Sequence, residues 1–421
     1  MTRTEHFSQE TPSFPVYSIA FQSDSQVVLG GGGGATRSGV KNKLKLCHVD
    51  VKAKKLDVLD EYELQAEEDA PMTLALNPKT KELAAGINSA PAQLRNGMNN
   101  HCRVFDLNDE KIQLKSSTRT FSADYSERED YPYQKLTAFS RNGSLLAVGT
   151  SHNQVSILSF PSLEPAYERL SFDRVGFGDV YDLDFSDDGS RLAVTTSTTV
   201  HVYSLSTGQG QPSGSISKPK EIEAISRDAI KIEAKSTFRG GKFGRGPTSS
   251  KFFALLNAPI QKKKGDPRRA FICTFDASTE ATSRTAEGEK KEEKVPVEED
   301  SKETWKVGKA RVLAGKPITV CDVSTSGTML AYGCSDLSVG IVDTSNSAPL
   351  LRILRAHALP PTVLRFNPSG NLICSGSADN TVRVITVPET FDATYGTPVA
   401  ILFAVLFLVF LAVLYQLAGY Y

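Results

Sequence analysis

The sequence predicts an all-β chain of repeated antiparallel units followed by a single transmembrane α-helix, and three observations carry that prediction. A short β-rich run, a polar turn and a second apolar run ending in small residues recur six times. Most copies lead into a further strand of apolar/polar alternation, the period-two signature of antiparallel β-structure. After Asp392 no charged residue occurs, and Pro398 to Ala418 reads PVAILFAVLFLVFLAVLYQLA.

The copies pair Val16–Phe21 with Val27–Gly30, Thr73–Pro78 with Leu83–Gly86, and Lys135–Gly143 with Leu145–Gly149. Further along they pair Val180–Gly189 with Leu192–Val194, Ile318–Gly327 with Met329–Gly333, and Thr362–Gly370 with Leu372–Asp379. The third strands are Leu44–Val49, Cys102–Asp106, Val155–Leu158, Val200–Tyr203, Val339–Asp343 and Val382–Ile385. A degenerate unit at Lys251–Leu256 and Phe271–Phe275 brings the count to seven. Small residues closing the second strand suit the crowded axis of a propeller. An irregular β-sandwich does not account for the copies.

This pattern resembles a degenerate WD-repeat β-propeller, so the expected fold is a seven-bladed, WD-repeat-like ring over residues 1–390. The only tryptophan is Trp305, and Phe105-Asp106 and Val342-Asp343 stand where the Trp-Asp pair would be. His357 occupies the place of the histidine in the repeat's Gly-His signature. Two segments, about 206–235 and 277–302, are polar or charged and read as disordered insertions, because they bury too little surface to offset ordering entropy.

At ~1.5 Å rise per residue, about twenty apolar helical residues cross the ~30 Å hydrocarbon layer. Residues 398–418 are apolar all round rather than striped, unlike a core helix. The expectation is a juxtamembrane linker at 391–397, the span at 398–418 and a short end at 419–421. The opening MTRTEHFSQETPSFP lacks an apolar h-region, so the body is expected in the cytosol with the helix as a tail anchor.

Lys+Arg and Asp+Glu balance at 48 each, which removes the basic field that nucleic-acid binding requires. The cluster Lys262, Lys263, Lys264, Arg268, Arg269 reads as a hairpin tip, with contact to anionic lipid headgroups as the functional alternative. The six cysteines form no C-x-x-C pair, and the adjacent pairs Cys47-His48 and His101-Cys102 would face opposite ways in a strand. Metal binding by Cys/His is therefore not expected. No nucleophile elbow or H-E-x-x-H occurs, and neither covalent catalysis nor a small-molecule substrate is expected.

Gly30, Gly31, Gly32, Gly33 and Gly34 follow directly on Val27–Leu29, and the chain resumes at Leu44. Gly30, Gly32 and Ala35 fit a dinucleotide fingerprint, but that motif must open a helix and here the next element is a strand. A connection of about fourteen residues is long for a hairpin and is functional or disordered. Five glycines imply either a floppy tip or a backbone path with positive φ and exposed carbonyls. Such carbonyls, with an Asn oxygen, suit a hard cation.

The glycine run with Asn42-Lys43-Leu44, the propeller and the apolar anchor together resemble one family. It is the endoplasmic-reticulum guanine-nucleotide exchange factor that activates the small GTPase initiating COPII coat assembly. The resemblance implies that Gly30–Gly34 and Asn42 form the exchange-promoting loop and that a potassium ion is held near Asn42, Gly31 and Gly32. It also implies, more loosely, that the acidic run Glu67-Glu68-Asp69 contributes. It places the chain in the reticulum membrane, with that GTPase as partner. Asn42, read as a loop-tip residue, is expected to cost no more than ~0.5 kcal/mol of stability on truncation. The alternative is a membrane-tethered propeller scaffold that recruits trafficking partners without exchange activity.

Overall fold

Seven clusters of buried side chains, one at each junction between neighbouring sheets, hold the repeats in a closed ring. The computed structural model describes residues 4–34, 39–126, 128–172, 176, 178–205, 216–232, 236–258, 269–280, 302–391 and 404–410. They form seven four-stranded antiparallel sheets, so the predicted seven-bladed propeller is observed. Blade 1 comprises Val16–Phe21, Gln26–Gly31, Lys43–Asp50 and Lys55–Glu63; blade 2 begins at Thr73–Leu76, Leu83–Gly86 and Cys102–Asp106. The innermost strands of blades 3 to 7 are Gln134–Phe139, Val180–Phe185, Thr237–Phe243, Ile318–Val323 and Pro361–Phe366.

The ring is closed by the N-terminus. His6–Glu10 pairs antiparallel with Thr381–Thr386, supplying the outermost strand of blade 7. Alternation explains the packing: buried Leu44 and Leu46 flank half-buried Lys45 and, after a register shift at Leu46/Cys47, buried Cys47 and Val49 flank half-buried His48. The junction of blades 1 and 2 buries Val28, Leu44, Leu46, Leu74, Leu83 and Phe105.

His357 behaves as its position in the repeat implies. Its Nδ1 lies 2.8 Å from Thr381 Oγ1 and its Nε2 3.0 Å from Ser375 Oγ. Asp379 accepts from the Ala358 amide at 2.6 Å and from Thr381 Oγ1 at 2.7 Å. Burial pushes the His357 imidazole down to about 4. The six cysteines are free and buried, and no group of three or more His, Cys, Asp or Glu that could hold a metal is found among the described residues.

The structure departs from the sequence reading in three places. The segment 206–235, expected as a disordered insertion, contains the fourth strand of blade 4, Lys220–Ser226. Ile225 and Ile230 bury into the junction of blades 4 and 5, so a few isoleucines outweigh the polar composition. The insertion at 277–302 is entered from both sides by Arg269–Glu280 and Lys302–Ala314, which pair as the outer strands of blade 5; residues 281–301 lie outside the described residues. Blade 5 also has an innermost strand, Thr237–Phe243, that the repeat pattern did not reveal.

Of the basic cluster, Arg269 opens a strand facing Ala258, while Lys262, Lys263, Lys264 and Arg268 lie outside the described residues. The expected span at 398–418 is described only at 404–410, which is helical and exposed. The linker at 391–397 is described only at Phe391, and 419–421 lie outside the described residues. Among the described residues no helix is long and apolar enough to cross a membrane.

Candidate functional site

The glycine run is a strand before it is a loop. Gly30 and Gly31 belong to Gln26–Gly31, paired with Ser18 and Val16 on one side and with Leu44 and Lys43 on the other. Both are glycine because of close approach. A Cβ on Gly30 would collide with the Ser18 hydroxyl and stand 2.9 Å from Pro71 Cβ; on Gly31 it would enter the Pro15 carbonyl. The connection itself spans 32–42, of which 35–38 lie outside the described residues. Gly32 has φ +135° and Gly34 φ +74°, conformations that L side chains rarely adopt. The Gly32 amide donates to the Pro15 carbonyl at 3.1 Å.

Asn42 closes this loop from beneath. It is 8 % exposed. Its Oδ1 accepts from the Gly34 amide at 3.0 Å, while Nδ2 donates to the Gly34 carbonyl at 2.8 Å and the Glu68 carbonyl at 2.7 Å. Its own carbonyl accepts from the Leu64 amide at 3.0 Å. Asn42 is therefore not a loop-tip residue, and the expected ceiling of ~0.5 kcal/mol on its truncation does not apply. Of the two readings of the glycine run, these bonds favour a defined backbone path over a floppy tip.

The acidic run Glu67-Glu68-Asp69 lies between the last strand of blade 1 and the first strand of blade 2. Glu67 sits exposed in the turn with φ +67°. Glu68 turns inward: its Oε1 lies 2.5 Å from Arg103 Nη2, both side chains being buried, and its Oε2 accepts from the Gln65 amide at 2.9 Å. Asp69 is half-buried, accepts from the Ala70 amide at 2.7 Å, and stands 3.7 Å from the point a Cβ on Gly34 would occupy. Its charge, after burial, raises the phenols of Tyr17 and Tyr133. Blade 2 thus presents Glu68 and Asp69 to the blade 1 loop.

Sequence reasoning missed the groups that fix this arrangement. Ser18 Oγ donates to the Pro71 carbonyl at 2.5 Å, stapling the two blades beneath Gly30. Arg103 was read only as part of an alternating strand. Nothing in that alternation singles it out as the partner of Glu68, since 35 residues and a strand pair separate them.

A family profile described as WD domain, G-beta repeat, matches residues 348–386, the last strand of blade 6 and most of blade 7. Along most of its length the chain is similar to proteins named guanine nucleotide-exchange factor SEC12. The one from Candida glabrata is 24% identical over 389 residues, 90% of this chain and 72% of that protein. The rat protein of that name is 22% identical, over 84% of this chain and 82% of its own. A putative guanine nucleotide-exchange factor SED4 from Candida glabrata is 23% identical over 91% of this chain, which spans only 32% of that longer protein. Among solved structures, Raptor from Chaetomium thermophilum matches with a TM-score of 0.57 at 12% identity, over 92% of this chain and 29% of that one. That likeness reflects the fold alone. The chain is thus similar along most of its length to proteins named as SEC12 exchange factors, in keeping with the resemblance drawn from its sequence.

Proposed function

We propose that this chain is a guanine-nucleotide exchange factor for the small GTPase that initiates COPII coat assembly, acting at the reticulum membrane through its blade 1 loop. The observation that carries the reading is the tie of Gly34 to Asn42, and of Asn42 to the Glu68 backbone, which fixes both ends of the blade 1 loop against blade 2. Names of relatives that match most of the chain support the class of activity.

The mechanism is differential binding. A GTPase holds its nucleotide through Mg²⁺, backbone amides at the phosphates and switch loops folded over them. A factor that binds the nucleotide-free conformer more tightly than the loaded one shifts the population toward release, and equal affinity for both shifts nothing. A loop whose geometry is fixed in advance supports such discrimination, because it cannot relax to fit both conformers. The chain forms and breaks no covalent bond in this scheme; it is a regulator of a GTPase.

A potassium ion at this loop would need oxygen ligands not already engaged. Gly31 lies inside a ladder paired on both sides. The oxygens that approach Gly34 are Asn42 Oδ1, which accepts its amide, and the Asp69 carboxylate, 3.7 Å from the point its Cβ would occupy. This all-oxygen set fits a hard monovalent cation. A cation there would supply positive charge between oxygens that otherwise repel. Asn42 nevertheless closes the loop by its own hydrogen bonds.

The apolar C-terminal segment, as a tail anchor, would hold the factor where newly loaded GTPase must act and raise their local concentration. The test is release of a fluorescent GDP analogue from the coat-initiating GTPase by the full chain in neutral detergent, in potassium and in sodium buffer of equal ionic strength. Acceleration is expected, falling in sodium. Equal acceleration in both salts discards the cation. No acceleration, with the protein folded, discards exchange in favour of the scaffold.

A further inference from the structure

The propeller axis contains a cavity of about 740 Å³, a size typical of small-ligand sites. Its wall is built by one rule. In six of the seven blades the innermost strand carries a pairing irregularity near its start, at the second residue in five (Tyr17, Lys135, Tyr181, Thr319 and Thr362) and at the third, Arg239, in blade 5. Bulges re-aim side chains, and all six of these residues line the cavity. They form a ring at the mouth on the side of the glycine loop, since Tyr17 lies between Val16 and Ser18, the partners of Gly31 and Gly30.

Three positions farther along the same strands lies a second ring. Ala20 and Ala138 leave it open on one side, while Asp184, Lys242, Asp322 and Arg365 alternate in sign on the other. Its carboxylates are already engaged: Asp184 and Asp322 accept the Phe243 and Phe366 amides at 2.8 and 2.9 Å, and Asp182 beside them holds Lys242 at 2.7 Å. At the far mouth Arg141 pairs with Asp187 and reaches from blade 3 to the Thr325 carbonyl of blade 6 at 3.3 Å. No two blades of a seven-membered ring stand farther apart than these. The cavity is therefore a cup, narrowed at one end by Arg141 and open toward the glycine loop.

The cup's charge is unbalanced. Seven cationic side chains line it against three carboxylates. Lys135, Arg239 and Arg365 make no ion pair among the described residues; Arg239 instead lies over the Tyr181 ring at 4.9 Å, and Arg365 donates only to the Leu364 carbonyl at 3.0 Å. Burial, reinforced by the neighbouring Arg239, holds the Lys135 ammonium below the usual lysine range despite the Asp179 charge. Half-buried cations that make no ion pair among the described residues, around a cavity of ligand size, describe a receptor for anions.

We propose that the axial cup binds a small soluble polyanion of the polyphosphate class, gripped by Lys135 and Arg239 at the mouth and Arg365 below. Phosphate suits this wall because guanidinium groups bind it through paired N–H donors while an ammonium supplies point charge. The site stands apart from the exchange reading and is tested without any GTPase.

The experiment is calorimetric titration of the full chain in neutral detergent with inositol hexakisphosphate and with inorganic tripolyphosphate, sulfate at equal ionic strength serving as control. One-to-one binding is expected for both polyphosphates and none for sulfate. Lys135→Gln and Arg239→Gln should each weaken binding about tenfold, and Lys52→Gln, in the exposed turn between the two outer strands of blade 1, should leave it within twofold. Should the wall variants fail to fold, the wild-type titration still decides. No binding of either polyphosphate at millimolar concentration overturns the proposal, as does binding that Lys135→Gln and Arg239→Gln leave unchanged. Binding confined to vesicles containing phosphoinositide overturns it too, since the ligand would then be a membrane headgroup.

Discussion

Replacing Asn42 by alanine separates a rigid, self-closed loop from a flexible one. The side chain makes three hydrogen bonds from a position that is 8 % exposed. At ~1 kcal/mol for each bond lost, truncation is expected to cost about 3 kcal/mol, the Glu68 carbonyl being stranded beneath the loop. Two readouts locate that loss. Trp305, the only tryptophan, lies in blade 5 and reports urea unfolding of the ring as a whole. Amide exchange at Gly34 reports the loop alone, because its bond to Asn42 Oδ1 is the contact removed. If the ring unfolds as one unit, the Trp305 midpoint drops; if blade 1 frays on its own, only the Gly34 amide loses protection. Either result upholds the argument. A loss below ~0.5 kcal/mol with Gly34 exchange unchanged refutes it, and returns Asn42 to the surface role that its place in the sequence suggested.

Gly32→Ala should cost at least ~3 kcal/mol in the same urea assay, since its Cβ would stand 2.6 Å from Asn42 Cα and 2.7 Å from the Lys41 carbonyl at φ +135°. A melt within ~1 kcal/mol of wild type would show that the loop can leave this path. Arg103→Met should destabilise by ~3–5 kcal/mol by leaving the Glu68 carboxylate buried without its partner. Adding Glu68→Gln should recover a large part of that loss, and an additive double mutant would refute the pairing. Stability should also fall with acid. His101 and His357 are both pushed down by burial to about 4, below their unfolded value of 6.5. Their contribution is whole above pH 6.5 and is lost as pH falls toward 4, about 2 kcal/mol each at pH 5. His357→Gln should flatten the stability–pH curve over that interval, and an unchanged curve would refute the assignment.

The blades were legible where period and punctuation coincide. In Thr362–Gly370 with Leu372–Asp379, alternation, a polar turn and small closing residues fall in order, and the structure places strands at Pro361–Phe366 and Leu372–Ser377. Outer strands lack that signature. Gln113–Thr118 is exposed almost throughout, so no alternation marks it. Lys220–Ser226 stands in polar sequence whose few isoleucines matter only against a blade 5 that local pattern cannot supply. Ring closure was equally hidden, because His6–Glu10 and Thr381–Thr386 lie at opposite ends of the chain. At the candidate site the glycines and Asn42 could be singled out by composition and resemblance. Arg103, Ser18 and Pro71 could not, because their importance is a matter of contact between blades.

The stiffness of the loop has a thermodynamic consequence for any partner that meets it. Ordering a glycine costs roughly 0.5–1 kcal/mol more than ordering an alanine. Were Gly30, Gly31, Gly32 and Gly34 free until a partner bound, that excess of roughly 2–4 kcal/mol would weaken binding by about thirty- to several-hundred-fold. In this fold the expense falls on folding instead. Two of the four lie in a strand, Gly32 is bonded to Pro15 and Gly34 to Asn42. Glycine is retained at Gly30 and Gly31 because neighbouring atoms leave no room for a Cβ, and at Gly32 and Gly34 because φ is positive. The run that looks like a flexible linker is a rigid one, anchored on the shared edge of two blades. Disturbing Ser18 or Arg103, neither of which lies in the loop, should therefore alter the presentation of the loop as much as a substitution within it.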